Sequence, residues 1–164
     1  VIQHFIHWLG HTAASQFIQE IFWIIPTVQI VHILAISVVV ASMAMFDLRL
    51  LGIAGMRNSI AALSRRFMPW LWVSLVVLFL SGCILIIGEP QRALDNIAFK
   101  LKMAMVATAI IVTAGFQLLL KRDLAAGAVD LTPKHFLAAK ITGGISLLLW
   151  LGIVAAGRLI AYAG

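Results

Sequence analysis

The chain has 164 residues, 63% of them hydrophobic and 11% charged, with a formal net charge of +6. A water-soluble domain of this size has too little interior to hide that much apolar surface, and the mean hydropathy of +1.08 points to lipid instead. The basic excess is not the footprint of a nucleic-acid partner, because Lys and Arg sit in short stretches between apolar runs, as they do in membrane loops.

Residues 1–22 read as a separate segment. It opens VIQHFIHWLG, without a basic stretch before the apolar residues, so no cleavable signal is expected there. His4, His7 and His11 recur at helical spacing and share one face, while Phe5, Ile6 and Trp8 are apolar. Such a segment is too short to span and suits an amphipathic helix on the outer membrane interface. Thr12 or Ser15 is placed to cap a second short helix leading into the bilayer. Pro26 then bends or restarts the chain at the membrane surface.

Residues 23–164 hold four apolar runs, at about 24–46, 67–87, 99–120 and 136–162. Each is close to the ~20 residues a helix needs to cross the hydrocarbon core, and lipid offers no partner to a backbone left unpaired. Gly52 and Gly55 punctuate the first connection, Gly88-Glu89-Pro90 the second, and Gly127 with Pro133 the third, where Thr132 has the place of an N-cap. Short connections make neighbours antiparallel. The expected fold is therefore an all-α integral membrane protein, an antiparallel four-transmembrane-helix bundle preceded by an interfacial amphipathic helix. The single cysteine, Cys83, excludes an internal disulfide and reads as a small packed residue. Trp23, Trp70 and Trp72 suit interface anchoring, and Trp150 lies deeper, as a packing residue.

Orientation follows from Lys and Arg. The first connection carries Arg49, Arg57, Arg65 and Arg66, and the third carries Lys121, Arg122 and Lys134. Both are expected on the cytoplasmic side, which turns both termini outward. Lys100 and Lys102, at the outer start of the third span, run against this pattern.

Ionisable groups inside a span are costly and mark candidate sites. His32 lies six residues past Pro26, roughly 9 Å along a helix, and Gln29 stands one turn above it on the same face. Lys102 and Arg158 fall in the outer half of the third and fourth spans. One outer layer thus holds an imidazole, an amide and two cations from three helices, with the His4, His7 and His11 face above. Nothing comparable is expected in the inner half, where Lys140 is near enough to the surface to snorkel.

A neutral imidazole in an apolar bundle is a suitable axial ligand for haem iron. Lys102 and Arg158 would then neutralise the haem propionates, and Gln29 would hold a propionate or orient an imidazole. Small residues (Gly82, Gly115, Gly143 and Gly144) would let a flat macrocycle approach the helices, although glycine also serves ordinary helix packing. Each feature has a plainer reading beside this one. His32 fits a hydrogen-bonded structural or proton-handling role, Lys102 and Arg158 fit snorkelling to headgroups, and interfacial helices tolerate histidine. His4, His7 and His11 also suit copper or zinc chemically, but their spacing stretches over two turns. Met103 and Met105 stand behind these histidines as sources of a second axial ligand.

The run FWIIPTVQIVHILAISVVVASMAMFDLRLLG resembles the first span of an uncharacterised family of bacterial four-helix inner-membrane proteins, with the pattern W-x-x-P-x-x-E-x-x-H followed by D-L-R-L-L-G. Trp23, Pro26, His32 and the stretch Asp47 to Gly52 match it, and Gln29 replaces the acid. NIAFKLK is similar to the family's N-x-x-F-x-x-K and assigns its lysine to Lys102, while GRLIAY resembles its closing G-R-x-I-A-Y and carries Gly157 and Arg158. More remotely, a His in the first span and a Lys in the third is similar to the haem-binding membrane protoporphyrinogen oxidases and the copper-resistance membrane family.

The resemblance implies a multi-pass protein of a bacterial inner membrane with periplasmic termini. The leading expectation is a haem b-binding, b-type cytochrome-like protein that transfers electrons near the periplasmic side, between a periplasmic redox partner and quinone or another membrane subunit. A porphyrin or protoporphyrinogen oxidase-like enzyme, a non-catalytic scaffold or subunit of a larger complex, and copper or zinc handling stand as alternatives. A homo-oligomer or a larger membrane complex is the expected setting.

Overall fold

A computed structural model describes residues 2–55, 57–125 and 133–160. Its helices are α1 (Ile2–Gly10), α2 (Ala13–Glu20), α3 (Ile24–Leu51), α4 (Ile60–Gly88), α5 (Pro90–Leu94), α6 (Ile97–Ala125) and α7 (Pro133–Ile160), with no strand among the described residues. Four of them, α3, α4, α6 and α7, are long and apolar enough to cross a membrane. Large apolar side chains point away from the protein along all four; Phe79 is 70% exposed and Leu148 71%. Water would penalise such a surface and lipid does not, so the chain is a multi-pass membrane protein in contact with the bilayer. Thr132 and Tyr162 lie outside the described residues.

Helices α3 and α4 continue past the apolar runs that mark them. The first run stops at Phe46, but the helix carries on through Asp47 to Leu51, a stretch rich in leucine, a strong helix former. Gly52 ends it in the left-handed region at φ 77°, with its N–H donated to Arg49 O and that of Ile53 donated to Leu48 O. This closure satisfies carbonyls that the last turn would otherwise leave bare. Helix α4 opens well before Arg65, because Ser59 Oγ accepts from the Ala62 N–H at 3.1 Å. Pro69 sits inside α4 without ending it.

The two ends of the bundle differ. At one end, here the cap end, α1, α2 and α5 fold over the long helices. Thr12 Oγ1 accepts from the Ser15 N–H at 3.3 Å and donates to Leu9 O at 2.7 Å, so one side chain closes α1 and opens α2. Gln3 Nε2 donates to Asp95 Oδ1 at 2.7 Å, and Gln19 Nε2 donates to Gly88 O at 2.9 Å. Ile6 is buried, while Phe5 and Trp8 face outward. The amphipathic segment thus uses one face against protein, on α5 and the end of α4. The opposite, basic end carries Arg49, Arg57, Arg65 and Arg66.

Among the long helices, α3 packs on α4 and on α7, and α7 packs on α6. Val39, Met43, Phe46 and Leu50 of α3 form the centre of the core, with Leu71 of α4, Phe116 and Leu120 of α6, and Trp150 and Ile153 of α7. Phe46 meets Phe116 edge to face with ring centroids 5.8 Å apart. Gly143 makes the α3–α7 approach possible, since a Cβ there would stand 2.9 Å from Leu50 Cβ and 3.2 Å from Asp47 O. Gly143 therefore serves helix packing at the basic end, with Gly144 beside Leu51, and neither lies near His32; Gly115 has nothing within 4 Å. Helices α4 and α6 approach far less closely and are bridged by the Trp72 indole N–H, which donates to Gln117 Oε1 at 3.2 Å. Trp72 is thus a link between helices as well as an aromatic at the surface.

Candidate functional site

His32 projects from α3 towards α4, where its Nδ1 lies 2.7 Å from Ser81 Oγ. Ser81 Oγ is also 2.7 Å from Val77 O, one turn back on its own helix. Two oxygens that close need a proton between them, and a serine has only one to give. That proton goes to Val77 O. With the serine proton used in this way, the tautomer of the neutral His32 ring that completes the network carries its proton on Nδ1, donates it to Ser81 Oγ and leaves a lone pair on Nε2. Gly82 keeps the wall beside the ring low: a Cβ there would stand 3.7 Å from His32 Cε1.

Lys102 of α6 is close enough for its charge to act on the His32 ring. Its side chain lies over Gly157 of α7, where an added Cβ would be 3.7 Å from Nζ. One layer near the cap end thus draws on all four long helices: His32, Ser81 with Gly82, Lys102, and Gly157. One turn deeper on α6, Met105 lies against Gly152 of α7. Met103 is 48% exposed and turned outward. Arg158 is next in sequence to Gly157, but its side chain is exposed and points to a different side of α7 from the surface that carries Lys102. Gln29 is half-buried one turn above His32.

The three histidines of the cap segment are all exposed. His7 and His11 stack with centroids 4.2 Å apart, and His11 Nδ1 donates to His7 O at 2.8 Å. His7 and His11 line a cleft of about 520 Å³ with Glu89, Gln91 and Arg92 of the α4–α5 corner, over Ile6, Ile25 and Gly88. His4 is not part of that lining. Among the described residues no three His, Cys, Asp or Glu side chains converge in a way that would hold a metal ion.

Towards the basic end the bundle holds polar groups that the apolar pattern conceals. Asp47 is 1% exposed, and Ser146, Trp150 and Thr113 are also buried. Asp47 Oδ2, Ser146 Oγ, Trp150 Nε1, Thr113 Oγ1 and Gln117 Nε2 are each shut off from solvent without a hydrogen-bond partner. The inner half, expected to hold only Lys140, thus contains the least satisfied polar groups among the described residues. The sequence marks Asp47 only as the start of the D-L-R-L-L-G stretch, beyond an apolar run that ends one residue before it, and the helix-forming LRLL that follows is the signal that places it inside α3.

The chain belongs to a family of unknown function, DUF6644, which matches residues 5–163. No curated protein and no solved structure matches it significantly.

Proposed function

We propose that this protein binds haem b near the cap end of its bundle and works as a b-type cytochrome-like electron carrier of the bacterial inner membrane. The observation that carries this reading is the 2.7 Å approach of His32 Nδ1 to Ser81 Oγ, which with the Ser81–Val77 bond leaves Nε2 to a ligand. Ligating imidazoles commonly donate their other N–H to a fixed acceptor, which sets the tautomer and the ring plane. Bound there, haem supplies a one-electron iron couple.

The residues fit such a group. His32 offers Nε2 to the metal. Gly82 lets the His32 ring lie close to α4, Gly157 lets Lys102 lie close to α7, and the Lys102 ammonium would serve a propionate as its cation. Arg158, exposed on another side of α7, would not reach the same group and is left to the headgroup edge. Met105 faces into the bundle over Gly152, which makes it a better-placed second ligand than the exposed Met103. His7 and His11 stand above this layer, on the side where a periplasmic partner would deliver or take an electron; quinone or another membrane subunit would serve the other side.

The test is the visible spectrum of the purified full-length protein. Reduced-minus-oxidised bands of a b-type haem are expected in the wild type and are lost in His32→Ala. A protein that stays colourless when expressed with ample haem and fails to take up added haemin overturns the reading. The second reading is a non-catalytic subunit in which the His32–Ser81 bond only ties α3 to α4. It is favoured by the shortness of that bond, and it predicts that His32→Gln keeps fold and function unchanged.

A further inference from the structure

We infer that the buried polar groups around Asp47 form an internal hydrated site that takes up a proton from the basic end of the bundle. The inference does not depend on haem. Ser146 faces the Asp47 carboxyl across the α3–α7 contact, and Trp150 stands one turn further along α7 on the same side. Thr113 and Gln117 are one turn apart on α6, which packs on α7. Phe46 and Phe116, the neighbours of Asp47 and Gln117, are in ring contact. The unpartnered atoms of these side chains thus lie on three helices that pack on one another around the Phe46–Phe116 contact.

Chemistry selects the ligand. The set contains one carboxylate, two hydroxyls, an amide N–H₂ and an indole N–H. A metal ion would satisfy only the oxygens and would be repelled by the two N–H donors. Water donates and accepts, and a buried water needs two to four polar partners, which this set supplies. An ionised carboxylate inside a bilayer needs a cation or a proton. Among the described residues the helices packed on α3 bring exposed cations, Arg65 and Arg66 on α4 and Lys140 on α7, the last with an interaction of its own, while Arg49 on α3 itself is half-buried and donates to Asn58 O. On α6, Lys121 and Arg122 are exposed, and Asp123 is buried with an interaction of its own. In this reading a proton delivered by water neutralises Asp47. The path is short, since Asp47 lies four residues before the end of α3, roughly 6 Å along the helix.

Infrared difference spectroscopy of the full chain in lipid, titrated with pH in H₂O and in D₂O, tests this. The wild type is expected to show a carboxylic-acid C=O band that is missing from Asp47→Asn and displaced in Asp47→Glu. The band should shift in D₂O, because water reaches the site. Identical titrations of wild type and Asp47→Asn, or an Asp47 band that ignores D₂O, overturn the proposal. If Asp47→Asn does not fold, Ser146→Ala combined with Trp150→Phe serves instead. It should move the same band by removing hydrogen-bonding groups, and a band left unmoved overturns the proposal equally.

Discussion

The two ends of the bundle treat buried polar groups in opposite ways. Near the cap end, His32 and Ser81 form a chain of hydrogen bonds that ends on Val77 O. Near the basic end, Asp47, Ser146, Trp150, Thr113 and Gln117 each keep an unpartnered atom. A satisfied network orients a side chain and holds it for use. An unsatisfied one requires something small to enter, because each orphaned group otherwise costs about 1–3 kcal/mol. In the readings proposed above, the first layer serves a ligand that needs a directed lone pair, and the second takes up solvent.

Variants can break or sharpen this contrast. The largest effect is expected from His32→Ala, which should abolish the haem difference spectrum while leaving the Asp47 infrared band in place. Next comes Gly143→Val, which drives a side chain into Leu50 Cβ and Asp47 O. Overpacking of this kind costs about 1–3 kcal/mol, read as a lower thermal midpoint in detergent, and should disturb the Asp47 band more than the haem spectrum. Ser81→Ala leaves His32 Nδ1 without its acceptor and should weaken haem retention by about 10–100-fold, the usual range for partners of metal ligands. Haem titration of the variant measures it. Trp150→Phe removes one unpartnered N–H. With water bound there, it should cost under about 1 kcal/mol, in line with the ~0.6 kcal/mol average for polar contacts in membranes. A clear stabilisation instead would mean that the layer is dry. Smallest is Leu148→Ala on the lipid face, expected within about 0.5 kcal/mol of wild type.

The four spans and the His32–Lys102 layer were legible because ionisable residues stand out in apolar runs. The partner of His32 was not. Serines in membrane helices usually bond back to their own turn, and nothing in the sequence marks Ser81 as doing this while also receiving a bond from another helix. Of the glycines proposed to make room, Gly82 lies beside the ring, whereas Gly143 and Gly144 belong to the α3–α7 contact. Gly152 and Gly157 have the same sequence character, and only the packing of α6 on α7 identifies their role. Asp47 was hidden by the rule that a span ends where its apolar run ends. Helix α3 does not obey that rule, because burial against α7 compensates for the polar residue.

The order of packing among the long helices has a consequence for synthesis. Helix α3 leaves the ribosome before the other spans and packs on α4, its immediate successor, but its other partner is α7, the last to be made. Until α7 arrives, Asp47 has no Ser146 beside it and Leu50 has no Gly143 to rest on. Nascent chains truncated before α7 should therefore keep Asp47 reachable by water-soluble carboxyl reagents. The completed protein should protect it, which makes closure of that seam a marker for the end of assembly.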